Sequence, residues 1–346
     1  MSDIREVAEL ARVSTATVSN ALNAPEKLSP QTLENVLNAI RILDYRPNRM
    51  ASALAGSKTK MIGVIISDIY HPNYARSFKA ISEQLDKHGY SKLLMNSDMS
   101  LKGEVESANC FLEYQVDGVI LKGTPAITEI HHIKKLCNNG IPVVTVGRQT
   151  SFCDSVNSYM NDALMDMFRH LESLGHREIG IMIPPIIDDK GIPTSRFARL
   201  QLVSSLLQET SLEYAPENLL IGKNPSFEEG KRMIKLWLDR GRKLPTAIFV
   251  LHEYVALGVE AGLRDAGIRV PEDVSIIDCF GSEASNWGYP PLSTIDSFDD
   301  IQGEKAVELL LKRIEKPNTP FQNELINAAY IRRASVGAPN GGECKH

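Results

Sequence analysis

The sequence predicts an α/β chain in which a small three-helix module, containing a helix-turn-helix, precedes two lobes of doubly wound parallel sheet. Three observations carry that expectation. From Met61 onward, short β-rich apolar runs alternate with amphipathic stretches of helical length, the pattern of βαβ units with crossover helices. These runs are too many for one open sheet and divide into two similar arrays near Asn161. Residues 1–60 show no strand pattern and hold three short segments that can each be capped as a helix.

In chain order, Asp3 with Glu6 three residues on, before VAELA, reads as a capping box. Ser14 caps a second helix through about Leu22, and only RVS separates it from the first. Ser29-Pro30 caps and opens a third, PQTLENVLNAIRIL. Two short helices joined by a tight turn, with a third packed behind, describe a helix-turn-helix. PNRMASALAG follows Pro47 and stops at Gly56; it is too short to be a stable helix alone, and its Ala-rich make-up suits one that forms when supported. The expected boundaries are 1–46 for the helical module, 47–60 for this hinge and linker, 61–337 for the two-lobed core and 338–346 for a flexible tail.

In the core, the strands MIGVIISDI, YSKLLMNSD, DGVILKG and IPVVTVGR alternate with helices, and EIGIMIPP, ENLLIGK, TAIFVL and VSIIDCF do so again after Asn161. Gly89, Gly140, Gly175, Gly241 and Gly267 stand where helices should stop. Ligands of such sheets bind beyond the carboxyl ends of the strands. The cleft should therefore be lined by the loops Ser67 to Tyr74, Asn96 to Asp98, Gly147 to Arg148, Ile187 to Arg196, and His252 to Glu253.

The 346 residues are 43% hydrophobic, enough for two to three cored domains. No apolar run approaches the ~18 residues that span a bilayer, and no basic segment precedes an apolar one at the N-terminus. A cytoplasmic protein without a membrane partner is expected. The five cysteines, Cys110, Cys137, Cys153, Cys279 and Cys344, are scattered without C-x-x-C spacing, so buried reduced thiols are expected and no metal or cofactor is implied. His131 and His132 read as a solvated or partly packed pair.

Charge separates the regions. Residues 1–60 carry eight Lys/Arg against six Asp/Glu, a surplus of two, so the remainder holds −7 of a total of −5. Only the N-terminal segment suits a polyanion. In its second helix, Val18, Ala21 and Leu22 form an inward face with Val13 at the turn, while Thr15, Ala16, Ser19 and Asn20 point away and are small or polar. Alone, that face is a solvated helix surface; on a mildly basic three-helix module it is what a DNA recognition helix needs. Hydroxyls reach phosphates or base edges, Asn pairs with adenine N6/N7, and Ala or Thr methyls meet the thymine methyl.

VAELARVSTATVSNALN, followed by LSPQTLENVLNAIRILDYRPNRMASALAG, closely resembles the DNA-binding module of the LacI/GalR family of bacterial transcription regulators. HLESLGHREIGIM, RVPEDVSII, PPLSTID and RRASV extend the resemblance over nearly the whole chain, to a two-lobed core similar to periplasmic sugar-binding proteins. The resemblance implies that Thr15, Ala16 and Asn20 read bases, while Ser14, Thr17, Ser19, Asn23, Ser29, Thr32, Tyr45 and Asn48 hold phosphates. It also implies that Leu54 of a hinge helix wedges into the minor groove at the centre of a palindromic operator, unstacking a pyrimidine-purine step. The family most often has Arg at the position of Asn20, so a half-site preferring adenine there is expected.

For the cleft, the resemblance implies an effector held by Arg196, with Asn73, Tyr74, Arg148 and Asn161 at other positions. His252-Glu253 replaces the family's Asn-Asp, Phe280 replaces an Asp, and Arg199 replaces a Gly. Two readings follow: a cleft retuned for a less polar or anionic effector, or one that has lost ligand binding. The retained Arg196 and Tyr74 favour the first. His252, Glu253 and Phe280 are accordingly counted among the effector-binding residues.

An enzyme is disfavoured, since no nucleophile elbow, dinucleotide fingerprint or metal cluster occurs in the sequence, and GSKTK lacks the first glycine and preceding strand of a phosphate loop. The tail GAPNGGECKH has no leucine heptad, so a homodimer is expected rather than a tetramer joined by a C-terminal coiled coil. The overall expectation is a carbohydrate-responsive, allosteric repressor.

Overall fold

The computed structural model describes residues 3–45, 58–123, 130–187, 194–241 and 243–340. Asn48, Leu54 and the expected hinge helix lie outside the described residues, as do Cys344 and part of the expected cleft loop between Ile187 and Arg196. The chain forms two compact units that divide between Lys60 and Met61.

The first unit contains α1 (Ile4–Ala11), α2 (Thr15–Asn23), a short 3-10 turn (Pro25–Lys27) and α3 (Pro30–Ile42). Each start has the expected cap: Asp3 accepts the Arg5 and Glu6 N–H groups, Ser14 that of Thr17, and Ser29 that of Thr32. The three-residue link works because Arg12 takes the left-handed conformation, φ 54°, and ends α1 as a C-cap. Val7, Val18 and Val36, one from each helix, meet fully buried, with Ala8, Ala11, Ala21 and Ala39 around them. These small side chains let three short helices enclose a core without long ones.

In the second unit the first lobe holds β1 (Met61–Ile66), α4 (Pro72–Lys87), β2 (Ser91–Asn96), α5 (Leu101–Glu113), β3 (Gly118–Lys122), α6 (His131–Asn138), β4 (Val143–Val146) and β5 (Asp154–Tyr159). The second holds α7 (Asn161–Leu174), β6 (Ile179–Ile183), α8 (Ser195–Leu207), β7 (Leu219–Ile221), α9 (Phe227–Asp239), β8 (Ala247–Val250), α10 (Glu253–Asp265), β9 (Ser275–Cys279) and β10 (Ser293–Asp296). All five glycines expected to stop helices adopt positive φ.

The remaining elements correct the simple division at Asn161. After β10 the chain returns to the first lobe as α11 (Asp299–Glu315) and β11 (Asn323–Asn327), then crosses again to add β12 (Ala329–Ile331) to the second. The sheet orders are β2-β1-β3-β4-β5-β11 and β7-β6-β8-β9-β10-β12, the same pattern twice. Every neighbouring pair is parallel except β10 and β12. The return is invisible to periodicity, because a strand's pattern records that it is half-buried and not which sheet takes it.

Strand alternation distributes the cores. Ile62, Val64 and Ile66 of β1 pack with Ile81 and Leu85 of α4 and Leu310 of α11, while Ile65 packs with Phe111 of α5 and Ile133 of α6. In the second lobe Ile181 joins Phe168 of α7 and Val203 of α8, while Met182 joins Trp237 of α9 and Val259 of α10. Each sheet is thus covered on both faces, which is why strands such as β1, β3, β4, β6 and β8 read as continuous apolar runs. Both orders reverse beside the first strand, between β1 and β3 and between β6 and β8, where such sheets open a crevice.

Candidate functional site

On α2, Thr15, Ala16 and Asn20 are exposed while Val18 and Ala21 are buried, so the outward face is small and polar, as the pattern predicts. Ser19 is half-buried, and Tyr45 packs against the edge of the three-helix core. Ser14 Oγ lies 2.9 Å from Thr17 Oγ1, and Ser29 Oγ lies 2.8 Å from Thr32 Oγ1. In each pair the mutual bond uses one of two hydroxyl protons. The other can be donated outward beside the N–H groups of a helix N-terminus, a setting that favours an anion such as phosphate. Exposed Arg5, Arg12, Lys27 and Arg41 supply positive charge on the same unit.

Within the second unit, a cavity of about 460 Å³ opens where the carboxyl ends of both sheets' strands face each other. That volume suits a small molecule. Asn73 and Tyr74 reach it from the start of α4, Arg148 from the loop after β4, Arg196 from the first turn of α8, His252 from the end of β8, and Phe280 from the end of β9. Strand-end position made the first five legible, and the family resemblance pointed to Phe280.

Asn161 and Glu253 do not line it. Asn161 heads α7, and neighbouring Met160, Ser158 and Asn157 face the cavity instead. Glu253 is fully buried in the second lobe, where its Oε1 accepts the Ser282 N–H at 3.0 Å and the Ser285 hydroxyl at 3.2 Å. One residue after the cap of α10, it is rotated away from the cleft that His252 faces. The Ser285 hydroxyl also lies 2.7 Å from Asp278 Oδ2. Burial, then the Glu253 carboxylate, pushes Asp278 up to about 7.

Two further groups were not anticipated. Lys122 Nζ, at the end of β3, lies 2.5 Å from Asp299 Oδ1 on α11, and both side chains are buried. Ser297 donates to the other Asp299 oxygen at 2.7 Å. Arg148 Nη2 lies 3.6 Å from Glu104 Oε2, which His132 Nε2 meets at 3.0 Å. His132 is therefore buried in an ionic group while His131 is exposed, which corrects their reading as one solvated or partly packed pair. Sequence spacing carried no signal for these contacts, whose partners come from separate elements.

Arg196 Nη1 donates to the Pro185 carbonyl at 3.3 Å. Arg199, one turn along α8, holds its guanidinium 4.4 Å from the centroid of the Phe280 ring. Phe280 itself sits at φ 99°, a backbone setting that strains a side chain with a Cβ. The described thiols are free, with Cys153 and Cys279 buried and Cys110 and Cys137 partly so. Among the described residues no helix is long and apolar enough to cross a membrane.

Residues 3–48 match the model of bacterial regulatory proteins of the lacI family, and residues 168–336 match that of a periplasmic binding protein-like domain. The chain is similar to the catabolite control protein A of Priestia megaterium, with 32% identity over 316 residues that cover 90% of this chain and 92% of that protein. It is similar also to the HTH-type transcriptional repressor PurR of Haemophilus influenzae, with 30% identity over 314 residues and 91% of each chain covered. In fold it is similar to the Lac repressor dimer bound to operator and the anti-inducer ONPF, with a TM-score of 0.85 and 26% identity over 97% of this chain and 99% of that one. The resemblance read from the sequence is thereby confirmed, and the chain belongs to the lacI family of bacterial regulatory proteins, DNA-binding transcriptional regulators.

Proposed function

We propose that two copies of this chain pair on a palindromic operator as a repressor, and that a small molecule in the cleft sets their affinity for it. The observation that carries this reading is the pairing, in one chain, of a capped recognition helix with an exposed small polar face and a two-sheet cavity in a separate compact unit. Thr15, Ala16 and Asn20 read the major groove, with Asn20 favouring adenine. Ser14, Thr17, Ser29 and Thr32 hold phosphates through the hydroxyl pairs at the two helix starts, joined by Ser19, Asn23, Tyr45 and Asn48. Leu54 supplies the minor-groove wedge. These last assignments rest on the family resemblance.

The cleft residues Asn73, Tyr74, Arg148, Arg196, His252 and Phe280 contact the effector, a sugar derivative or similarly small polar molecule. Effector binding alters how the lobes meet, and the linkage to DNA is a coupling free energy between two distinct sites. The protein acts where the DNA is, in the cytoplasm, and carries out no catalysis.

Genome-wide mapping of bound sites tests the reading. An enriched palindrome with a central pyrimidine-purine step supports it, and absence of any enriched palindrome contradicts it. Leu54→Ala should weaken specific binding far more than nonspecific binding; equal loss of both would remove the wedge from the account.

A further inference from the structure

The charges on the described part of the cavity wall are not balanced. Lys122 is matched by Asp299 and Arg148 by Glu104. Arg196 and Arg199 face no carboxylate within ion-pair distance among the described residues, although both line the cavity. The remaining carboxylate among the described lining residues, Asp68, accepts the Tyr70 N–H at 2.9 Å. Among the described residues of the wall, two guanidiniums therefore stand against one carboxylate, inside a body whose net charge is negative.

Both guanidiniums are held in place. Arg196 is tied to the Pro185 carbonyl, and Arg199 is laid over the Phe280 ring at 4.4 Å. A cation over an aromatic face is attracted to it and keeps its N–H edges free for a second partner. Arg196 and Arg199 lie one turn apart at the head of α8, so they project to the same side, where the helix N-terminus adds partial positive charge. Burial disfavours the charged form of Arg196, Tyr74 opposes that effect, and the neighbouring Arg199 adds a smaller push in the same direction as burial. The charge of an anion bound there would offset both.

We infer that the effector bears an acidic group, a phosphate or a carboxylate, clamped between Arg196 and Arg199 against the Phe280 side of the cavity. This rests on the reading of the cleft as the effector site and names the ligand's chemical class. Phosphate esters and carboxylic acids share the needed chemistry: planar or tetrahedral oxygen pairs that accept forked guanidinium donors.

The test uses the full-length protein at constant ionic strength. Thermal unfolding is followed while chloride is replaced by inorganic phosphate, glucose 6-phosphate or gluconate, with glucose as the neutral control. Saturable stabilisation by at least one acid, with none by glucose at equal concentration, is expected. In Arg196→Gln and in Arg199→Gln the half-saturating concentration should rise about tenfold or more, the loss of a charge-assisted bond. Arg199→Lys should retain part of the response. Phosphate arms and the gluconate arm separate the two acid types. Glucose matching the acids, an unchanged response in Arg199→Gln, or no saturable response to any acid up to tens of millimolar would each overturn the inference. Operator binding by the same samples keeps the two readings apart: DNA binding without an anion response defeats this inference alone, whereas loss of DNA binding defeats the regulator reading.

Discussion

His71 Nε2 and His252 Nε2 lie 2.8 Å apart, one ring from each lobe, with the rings perpendicular at 88°. One nitrogen must donate and the other accept, so both rings cannot be protonated together. Burial disfavours the charged form of each: it lowers His71 to about 4, and it holds His252 well below the ordinary histidine value, with His71 adding to the effect. Beside this pair, the Tyr254 hydroxyl donates to the Tyr70 carbonyl at 2.9 Å and Arg76 to the Gly281 carbonyl at 3.0 Å. The lobes thus meet along a seam that has the histidine bond as one pH-sensitive member and the Arg76–Asp296 ion pair, at 3.0 Å, as another titratable contact.

The first prediction concerns acid. His71 titrates lower in the folded chain than in the unfolded one, so its contribution is complete above the unfolded value near 6.5 and is lost as pH falls toward about 4. The loss is on the order of 3 kcal/mol. Denaturant midpoints at pH 7 and pH 5 should differ less in His71→Gln than in the wild type. Equal differences would show that the pair is not held neutral.

Asp278 works in the opposite direction. Its folded value, about 7, lies above the unfolded one, so its neutral form stabilises the lobe at low pH and that contribution is lost as pH rises through about 7. Asp278→Asn, a mimic of the neutral carboxyl, should be at least as stable as the wild type at pH 8 and should remove this component of the pH dependence. Marked destabilisation at pH 8 would indicate that the ionised carboxylate is the form the structure needs.

Packing between α9 and α10 gives a third prediction. A Cβ on Gly258 would overlap the Phe227 carbonyl oxygen, and one on Gly230 would overlap that of Val255. Backbone cannot yield as a flexible side chain does, so Gly258→Ala should lose about 1–3 kcal/mol in chemical denaturation. A wild-type midpoint would mean that the helices separate freely.

In the helical module, stability and recognition should divide between neighbours. Ser14→Ala removes the cap of α2 and should cost about 1 kcal/mol of module stability. It should also weaken binding to every DNA sequence alike. Asn20→Ala, at an exposed position, should change stability by less than about 0.5 kcal/mol while altering sequence preference. Thermal melts and competition binding with two unrelated duplexes distinguish these outcomes.

The helical module was legible because its determinants are local: Asp3, Ser14 and Ser29 each act within three residues, and the inward Val18, Ala21 and Leu22 recur at helical spacing. The lobes were legible as βα alternation, and the strand ends pointed to Tyr74, Arg196 and His252 at the cavity. What escaped was non-local. Polar β5, DSVNSY, offers little apolar pattern, and β11 is an edge strand whose partner lies far back in the chain. Lys122 with Asp299, 177 residues apart, and His71 with His252, 181 apart, are brought together only by the crossings between lobes. Glu253 was misplaced because one residue's step around a helix separates a cleft position from a buried one.

The most direct test of the account is selection of bound sequences from a random duplex pool by the full-length protein and by Asn20→Arg. A two-fold-symmetric site is predicted, with adenine opposite residue 20 in the wild type and guanine at that position for the variant, as Asn and Arg side chains pair with those bases. An identical site for both proteins, or no symmetric site for the wild type, would contradict the claim that α2 reads the operator through Asn20.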